Sequence, residues 1–435
     1  IIRWYGMDAN YYYLSEALCV PIIKTLLEEK IETEPAEVIN RIEDLMLNHS
    51  ANSMMTAVMD YAVIVARLYE KALTLGSLTL NTADEYVMRY ESDYCFIDQY
   101  YRLANETYFG IDPTSELFDT VQKVKRGLDQ NYSKLCNRIN LEWTRCLKET
   151  GGMDEVHLMR QYNFYDEKIK SIHKKVVVIV SDALRYEVAQ ELIGELAKTR
   201  HIASLKPAIA MLPSETKYSK PSLLPHRELK LYGKGEEQGM AVDDHILDTT
   251  QKRSEHLQVY RDGAVCVPFE TVAEYNQEKN HEIFKHPLVY IFHDVIDKTG
   301  HDGNAKQIVN SCRDAITELK RMIPTIHASY SVTEVYVTSD HGFLFNDIMF
   351  ADKDKHKIEE DYLERSTRYY LTKSKDEVSG VVKFPLSEVS GMVNVDDVMV
   401  AVPKGTNRFA APSGGYMFTQ GGAALQELII PVITS

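Results

Sequence analysis

The chain has 435 residues and a formal net charge of −15, with 44% hydrophobic and 26% charged residues. This length predicts two domains, and the composition is typical of a soluble globular protein. The acidic charge argues against a protein that coats DNA or RNA electrostatically, because such binding needs clustered Lys and Arg, although it leaves room for an enzyme that meets a phosphate in one local basic cleft.

The sequence also argues against a membrane protein and against a secreted protein. No run of eighteen apolar residues occurs, so we expect no membrane span. The six cysteines contain no CxxC pair, which predicts reduced thiols in the cytoplasm rather than a disulfide framework or a zinc knuckle. We expect no secretory signal at the start, and a start at Ile1 and Ile2 instead of Met predicts a piece of a longer polypeptide.

Residues 1–170 are predicted to form an α-helical domain. Apolar residues recur three and four positions apart, which is the pattern of amphipathic helices. Thr82 and Thr114 precede acidic residues and mark two helix starts. The predicted helices span residues 15–29, 35–47, 53–73, 83–103 and 117–147.

Residues 171–435 are predicted to form an α/β domain. Val176–Val180 is a continuous β-branched run, which indicates a strand buried on both faces. A helix is predicted over 184–198, and further strands over 202–211, 287–292 and 334–338, with a helix at about 304–322. This alternation predicts a mainly parallel sheet flanked by helices. The shorter strand signals after residue 381 are expected to be edge strands and active-site loops of the same domain.

Polar residues follow each of these predicted strands. The carboxyl ends of parallel strands form the ligand crevice of such a sheet, so these side chains are expected to meet there. Taken singly, each has an ordinary interpretation: an Asp after a strand often caps the next helix, and the segment 297–301 predicts either a helix or a turn because it contains Gly300. The side chains concerned are Asp182, Thr216, Asp297, His301, Asp340 and His341.

Together, these side chains predict a metal centre. A mixture of carboxylates and imidazoles suits zinc or a similar divalent ion. A hydroxyl group that joined the cluster would become more acidic, which makes Thr216 a candidate nucleophile. The segment after it is locally basic and contains Lys217 and Lys220, so it is either a solvated loop or a phosphate-binding surface.

Four motifs in this order resemble the alkaline phosphatase superfamily. They are SDALRYE (181–187), LPSET (212–216), DKTGH (297–301) and SDHGF (339–343). The spacing and the later run QGGAALQELIIPVI (420–433) are more narrowly similar to the PglZ proteins of BREX phage-defence systems. The resemblance covers about the last three-fifths of the chain and implies an alkaline-phosphatase-like fold after the helical domain.

The resemblance also implies an activity and a ligand set. One metal would be held by Asp182, Thr216, Asp340 and His341, and a second by Asp297, His301 and a further His. The cofactor would be one or two zinc ions, with manganese or magnesium as alternatives. Thr216 would attack phosphorus in a metal-dependent phosphodiesterase or phosphatase, a nuclease-like hydrolase of an anti-phage defence complex. Expected partners are other BREX defence proteins, with nucleic acid or a nucleotide phosphodiester as substrate and no membrane.

One departure from the superfamily pattern keeps an alternative open. Gln420 stands where many members have His before Gly-Gly, and an amide oxygen is a poorer zinc ligand than imidazole. The second metal is then expected to be weak, absent or completed by His356 or His293. The alternative function is a scaffold or regulatory subunit with little catalysis. A sulfatase is disfavoured, because Thr216 cannot be converted to a formylglycine.

Overall fold

The computed structural model describes residues 16–48, 53–274, 276–348, 355–410 and 417–435. The chain divides into two compact units: Ile1–Leu78 with Arg89–Leu135, and Thr79–Met88 with Cys136–Ser435. The domain boundary expected at residue 170 stays a prediction. None of the helices in the described ranges is long and apolar enough to cross a membrane.

The described residues between Glu16 and Thr150 are mainly helical, as predicted. The predicted helix over 83–103 is interrupted by a π-helical turn at Tyr90–Tyr94, and the start predicted at Ser15 lies outside the described residues. The other deviation is a π-helical turn at Leu26–Lys30. The helices are α1 (Glu16–Thr25), α2 (Pro35–Asn48), α3 (Ser53–Leu73), α4 (Ala83–Arg89), α5 (Cys95–Tyr108) and α6 (Phe118–Thr150).

The remainder of the chain alternates strands with helices. Short 3-10 helices lie at Gly152–Glu155, Gln161–Asn163 and Gly235–Glu237, and a π-helical turn at Tyr165–Ile169. The helices are α7 (Tyr186–Lys198), α8 (Thr216–Ser222), α9 (Thr250–Tyr260), α10 (Phe269–Ala273), α11 (Gln277–Ile283), α12 (Val295–Gly300), α13 (Ala305–Tyr330), α14 (Leu386–Ser390) and α15 (Leu425–Leu428). The strands are β1 (Val176–Ser181), β2 (Ser204–Ile209), β3 (Leu229–Tyr232), β4 (Gly239–Val242), β5 (Val265–Pro268), β6 (Leu288–His293), β7 (Glu334–Thr338), β8 (Leu344–Phe345), β9 (Lys355–His356), β10 (Glu364–Arg365), β11 (Tyr370–Thr372), β12 (Val381–Pro385), β13 (Met399–Pro403), β14 (Arg408–Phe409), β15 (Phe418–Thr419) and β16 (Ile429–Thr434).

The central sheet has six strands in the order β2-β16-β7-β1-β6-β5. Strand β1 pairs in parallel with β6 and β7, and β5 pairs in parallel with β6. Only β16 runs against its neighbours, β2 and β7. All six residues of β1 are buried, as its β-branched run predicts. The prediction of a mainly parallel sheet with flanking helices is confirmed.

The strands after residue 381 differ from the expectation of edge strands. Strand β16 lies inside the central sheet, and β10, β11, β13 and β12 form a separate antiparallel sheet. Buried apolar side chains give this second sheet its own core, formed by Tyr370, Val381, Ala401 and Phe409. Hydrophobic burial therefore organises these short strands as an independent layer that supplies side chains to the site described next.

Candidate metal centre and active site

The ends of the central strands bring two carboxylates together. Strand β1 ends at Ser181, in register with His293 at the end of β6, and the amide of Asp182 donates to the His293 carbonyl oxygen at 2.7 Å. Asp340 follows β7 on the other side of β1. Its Oδ1 accepts the amide of Ala183 at 3.1 Å, which ties the two loops to each other. This is the convergence at the carboxyl edge that the sequence predicts.

Thr216 lies beside this pair as the first residue of α8. Its Oγ1 is 2.9 Å from Nε2 of His341 and 3.5 Å from Oδ1 of Asp182. The preceding loop is fixed from behind, because the Ser214 hydroxyl donates to the Gly422 carbonyl oxygen at 2.8 Å. The hydroxyl of the candidate nucleophile thus contacts two of the predicted metal ligands, although its role stays a prediction.

The electrostatics of the cluster favour a bound cation. Asp182, Asp340 and His341 are all buried. Burial works to raise the pKa of Asp182, but the charges of Lys220 and His341 outweigh it and the pKa is lowered. Burial, together with repulsion from Asp182, raises the pKa of Asp340. Two adjacent buried carboxylates are costly unless positive charge neutralises them.

Asp297 joins the cluster from α12. One donor atom each of Asp182, Asp297 and His341 lies within 4.8 Å of the other two. The segment from Val295 to Gly300 is helical. The sequence had allowed either a helix or a turn here, and the structure has the helix. His301 follows directly, with its Nε2 3.4 Å from Asp297 Oδ1. The hydrogen bond to Asp297 raises the pKa of His301.

The donor atoms fit a divalent ion. Within the described residues, Oδ2 of Asp340 and Oε1 of Gln420 are buried and accept no hydrogen bond. A buried acceptor without a partner is costly, and a cation bound next to either atom would satisfy that atom. Carboxylate oxygens, an imidazole nitrogen and a hydroxyl suit zinc, manganese or magnesium to different degrees. The structure therefore supports a site for a divalent metal ion.

The two histidines considered as replacements for Gln420 contact other residues, so the expectation of a weak or absent second metal stays a prediction without them. His293 is buried, with Nδ1 2.8 Å from the Ser181 hydroxyl and Nε2 2.8 Å from a carboxylate oxygen of Glu318. His356 lies in β9, with Nε2 3.4 Å from the Asn407 amide nitrogen. Among the described residues that line the cavity at the cluster, neither His occurs, whereas Gln420 does.

A cavity of about 300 Å³ opens at the cluster and contains Thr216, Asp297, His301 and Gln420 in its wall. This volume is at the lower end of the range for small-molecule sites. Another part of the wall is apolar and consists of Pro221, Tyr232, Met240, Ile246 and Leu247.

The predicted phosphate-binding lysines also line this cavity, but each is paired. The ammonium group of Lys217 donates to Glu364, and that of Lys220 donates to Asp182. Arg253, in α9, is a third cation in the same wall and was not predicted from the sequence. No strand-end motif or charge run marks Arg253, so the sequence contained no signal for it.

The loop that carries Gln420 is held by a buried ion pair. Arg368 Nε donates to Glu427 Oε1 at 2.9 Å, and Arg368 Nη2 donates to Glu427 Oε2 at 2.7 Å. Glu427 also accepts the amides of Gly422 at 3.0 Å and Ala424 at 2.9 Å. The loop around Gly421 is therefore fixed by charge-assisted hydrogen bonds, which are stronger than neutral ones.

Helix α6 holds the following residues of the loop. The indole N–H of Trp143 donates to the Ala423 carbonyl oxygen at 2.8 Å. The Asn140 amide oxygen accepts the amide of Leu425 at 2.9 Å, and its amide nitrogen donates to the Gln426 side chain at 3.0 Å. All of these residues belong to the second compact unit. The end of α6 is thus part of the structure that positions the site, although the sequence assigned it to the helical domain.

Comparison with known proteins finds relatives of this chain. A similar protein is the alkaline phosphatase-like protein PglZ of Bacillus cereus (strain H3081.97), 26% identical over 382 residues, which cover 84% of this chain and 43% of the relative. The alkaline phosphatase-like protein BrxZ of Escherichia coli O9:H4 (strain HS) is 29% identical over 354 residues, covering 77% of this chain and 40% of the relative. The chain therefore spans less than half the length of these curated relatives.

Among solved structures, murine ectonucleotide pyrophosphatase/phosphodiesterase 5 is similar with a TM-score of 0.40 at 12% identity, over 60% of this chain and 88% of that one. A likeness this distant carries no argument about activity. The family described as the BREX system PglZ alkaline phosphatase-like domain matches residues 164–435, more than half of the chain. The chain belongs to the PglZ family of alkaline phosphatase-like proteins.

Proposed function

We propose that this protein is a metal-dependent phosphoric ester hydrolase, a phosphodiesterase or phosphatase, with Thr216 as its nucleophile. One observation carries the proposal: the hydroxyl oxygen of Thr216 is 2.9 Å from His341 and 3.5 Å from Asp182. These two residues belong, with Asp297, to the group of donor atoms that fits a divalent ion. A hydroxyl at this position suits phosphoryl transfer.

In the proposed reaction, Thr216 Oγ1 loses its proton to solvent and forms a bond to phosphorus. The bond from phosphorus to the leaving oxygen breaks, and that oxygen takes a proton from solvent and leaves as an alcohol. Water then releases phosphate or a phosphomonoester from the phosphothreonine and restores the hydroxyl. Asp182, Asp340 and His341 would hold one divalent ion beside Thr216, and Asp297 and His301 would hold a second. When bound, such ions lower the pKa of the attacking hydroxyl and neutralise charge on the attacking and leaving oxygens.

The proposed biological setting is the cytoplasm, in a BREX anti-phage defence complex with other BREX proteins as partners. The family match and the names of the two curated relatives support this setting. A nucleic acid or a nucleotide phosphodiester is the proposed substrate, and zinc is the proposed metal. The negative net charge of −15 favours a substrate that is captured locally in the cavity over one that is bound along an extended surface.

The test measures metal content and hydrolysis together in the wild type and in Asp340→Ala. After incubation with zinc, manganese or magnesium and removal of free ions, elemental analysis gives the bound metal, and bis(4-nitrophenyl) phosphate reports turnover. We expect bound metal and hydrolysis in the wild type and a loss of both in Asp340→Ala. Asp397→Ala is the matched control, since that carboxylate lies on the surface and pairs with Lys373.

A second variant separates the nucleophile from the metal site. Thr216→Ala should lower turnover by at least about 100-fold, since removing a nucleophile leaves only the rate supplied by the rest of the site. It should keep the metal that the buried carboxylates and His341 hold. A wild type that binds none of the three metals and hydrolyses nothing would overturn the proposal.

A scaffold function is the second candidate, and the pairing of Lys220 with Asp182 is the observation that favours it. An ammonium group on this carboxylate supplies positive charge where a metal would otherwise be needed. Phage defence by a complete BREX system carrying Thr216→Ala distinguishes the two functions. Defence should be lost if hydrolysis is required and should persist if the fold only binds partners.

A further inference from the structure

The cavity beside Thr216 contains one basic side chain that forms no ion pair with a described carboxylate. Four basic side chains line it, and within the described residues only Arg253 forms no ion pair. The other three are each paired with a carboxylate: Lys217 with Glu364, Lys220 with Asp182, and His301 with Asp297.

Arg253 is held in place by contacts that leave the end of its side chain available. Its Nε donates to the Leu247 carbonyl oxygen at 2.9 Å, and its guanidinium carbon lies 4.7 Å from the ring centroid of Phe292. The neighbouring carboxylate of Asp248 pairs instead with Lys252 at 2.8 Å. In the described part of the chain, Nε is therefore the only guanidinium nitrogen of Arg253 that forms a hydrogen bond.

The chemistry of this group selects one kind of ligand. The two terminal nitrogens of a guanidinium group form a planar fork that matches two oxygens of a phosphate. Arg253 is partly buried, so its interaction with an anion is screened less than on an open surface. Burial lowers the pKa of Arg253, yet a guanidinium group stays charged at neutral pH.

We propose that Arg253 binds two non-bridging oxygens of the substrate phosphate in the cavity that contains Thr216. The inference rests on the proposed function, because that function assigns the phosphate to this cavity. Arg253 takes the anion-binding role that the sequence predicted for Lys217 and Lys220, because the ammonium groups of both lysines are already paired. A phosphomonoester carries two negative charges and a diester one, so Arg253 should bind the monoester product of a diester more strongly than the diester itself.

The experiment titrates inorganic phosphate, by isothermal calorimetry, into zinc-loaded and metal-free protein. Arg253→Met should weaken phosphate binding on the order of 10- to 100-fold, the range for hydrogen bonds to a charged group. Arg253→Lys keeps the charge but lacks the planar fork, so its affinity for phosphate should lie between those of the wild type and Arg253→Met. Arg261→Met is the matched control, because Arg261 ends the same helix and bonds the Lys174 carbonyl oxygen.

A kinetic comparison separates a role in binding from a structural one. Arg253→Met should lower kcat/KM for 4-nitrophenyl phosphate more than for bis(4-nitrophenyl) phosphate, whereas a damaged fold would lower both equally. Unchanged phosphate affinity in Arg253→Met that still holds zinc would overturn the inference and leave the hydrolase proposal intact. A wild type without zinc or turnover would count against the hydrolase, and the metal-free titration would still decide the role of Arg253.

Discussion

Replacing Arg368 by Met should destabilise the second compact unit strongly. Arg368 and Glu427 are both completely buried and are joined by two parallel hydrogen bonds of 2.9 and 2.7 Å. Methionine fills a similar volume but leaves the Glu427 carboxylate without its cation. Breaking a buried pair in this way costs about 3–5 kcal/mol of the free energy of unfolding.

Urea denaturation followed by tryptophan fluorescence measures this loss. The chain has two tryptophans, and Trp143 is completely buried in the second unit, so Trp4→Phe in every protein leaves Trp143 as the reporter. With a urea dependence of about 3 kcal/mol per M, the midpoint should fall by about 1–1.7 M. The matched control is Lys373→Met, which breaks an exposed pair with Asp397.

The shift of the urea midpoint in Lys373→Met is the value with which the shift in Arg368→Met is compared. An exposed ion pair contributes at most about 1 kcal/mol, so Lys373→Met should move the midpoint by no more than ~0.3 M. If Arg368→Met moved it no further than Lys373→Met, burial would not be what makes the Arg368–Glu427 pair important. The Arg368–Glu427 pair would then not be what holds the loop after Gln420 in place.

Three further predictions concern the same loop. Gln420→His should tighten zinc binding at least about 10-fold, because imidazole is a better zinc ligand than an amide; unchanged affinity by calorimetry would exclude Gln420 from the metal site. Gly422→Ala should lower the urea midpoint, because an added Cβ would lie 2.8 Å from both Arg368 Nη2 and Glu427 Oε2; a wild-type midpoint would show that the pair moves aside freely. Asn140→Ala should cost about 1–3 kcal/mol, since it leaves the buried amide of Leu425 without its acceptor; thermal unfolding at the wild-type temperature would contradict this.

The sequence was sufficient for the parallel strands of the sheet and for the convergence of two carboxylates at its edge. The continuous apolar run of β1 identifies a doubly buried strand, and the strand-end rule then places Asp182 and Asp340 at one edge. Each inference uses a local pattern of the sequence: a run of apolar residues, or a polar residue directly after a strand. The helical conformation around Asp297 was left open, because Gly300 weakens a local helix signal and only packing decides it.

What the sequence could not predict is pairing over long distances. Nothing around Lys217 indicates that its ammonium group meets Glu364 from another sheet, and so it seemed free to bind phosphate. Arg253 lies on a helix without a marked apolar face, so no periodic pattern points it towards the cavity. The pairing of Arg368 with Glu427 likewise depends on the packing of distant segments, which leaves no local trace.

The position of β16 has a consequence for synthesis on the ribosome. Residues Ile429–Thr434 lie between β2 and β7, and Ser204 pairs with Thr434. While the nascent chain is shorter than this, β2 has no partner strand on that side and β7 has an open edge. Such edges attract other chains, and pairing over so long a separation is slow. We therefore expect a chaperone that binds extended segments to bind the nascent chain until β16 has been synthesised.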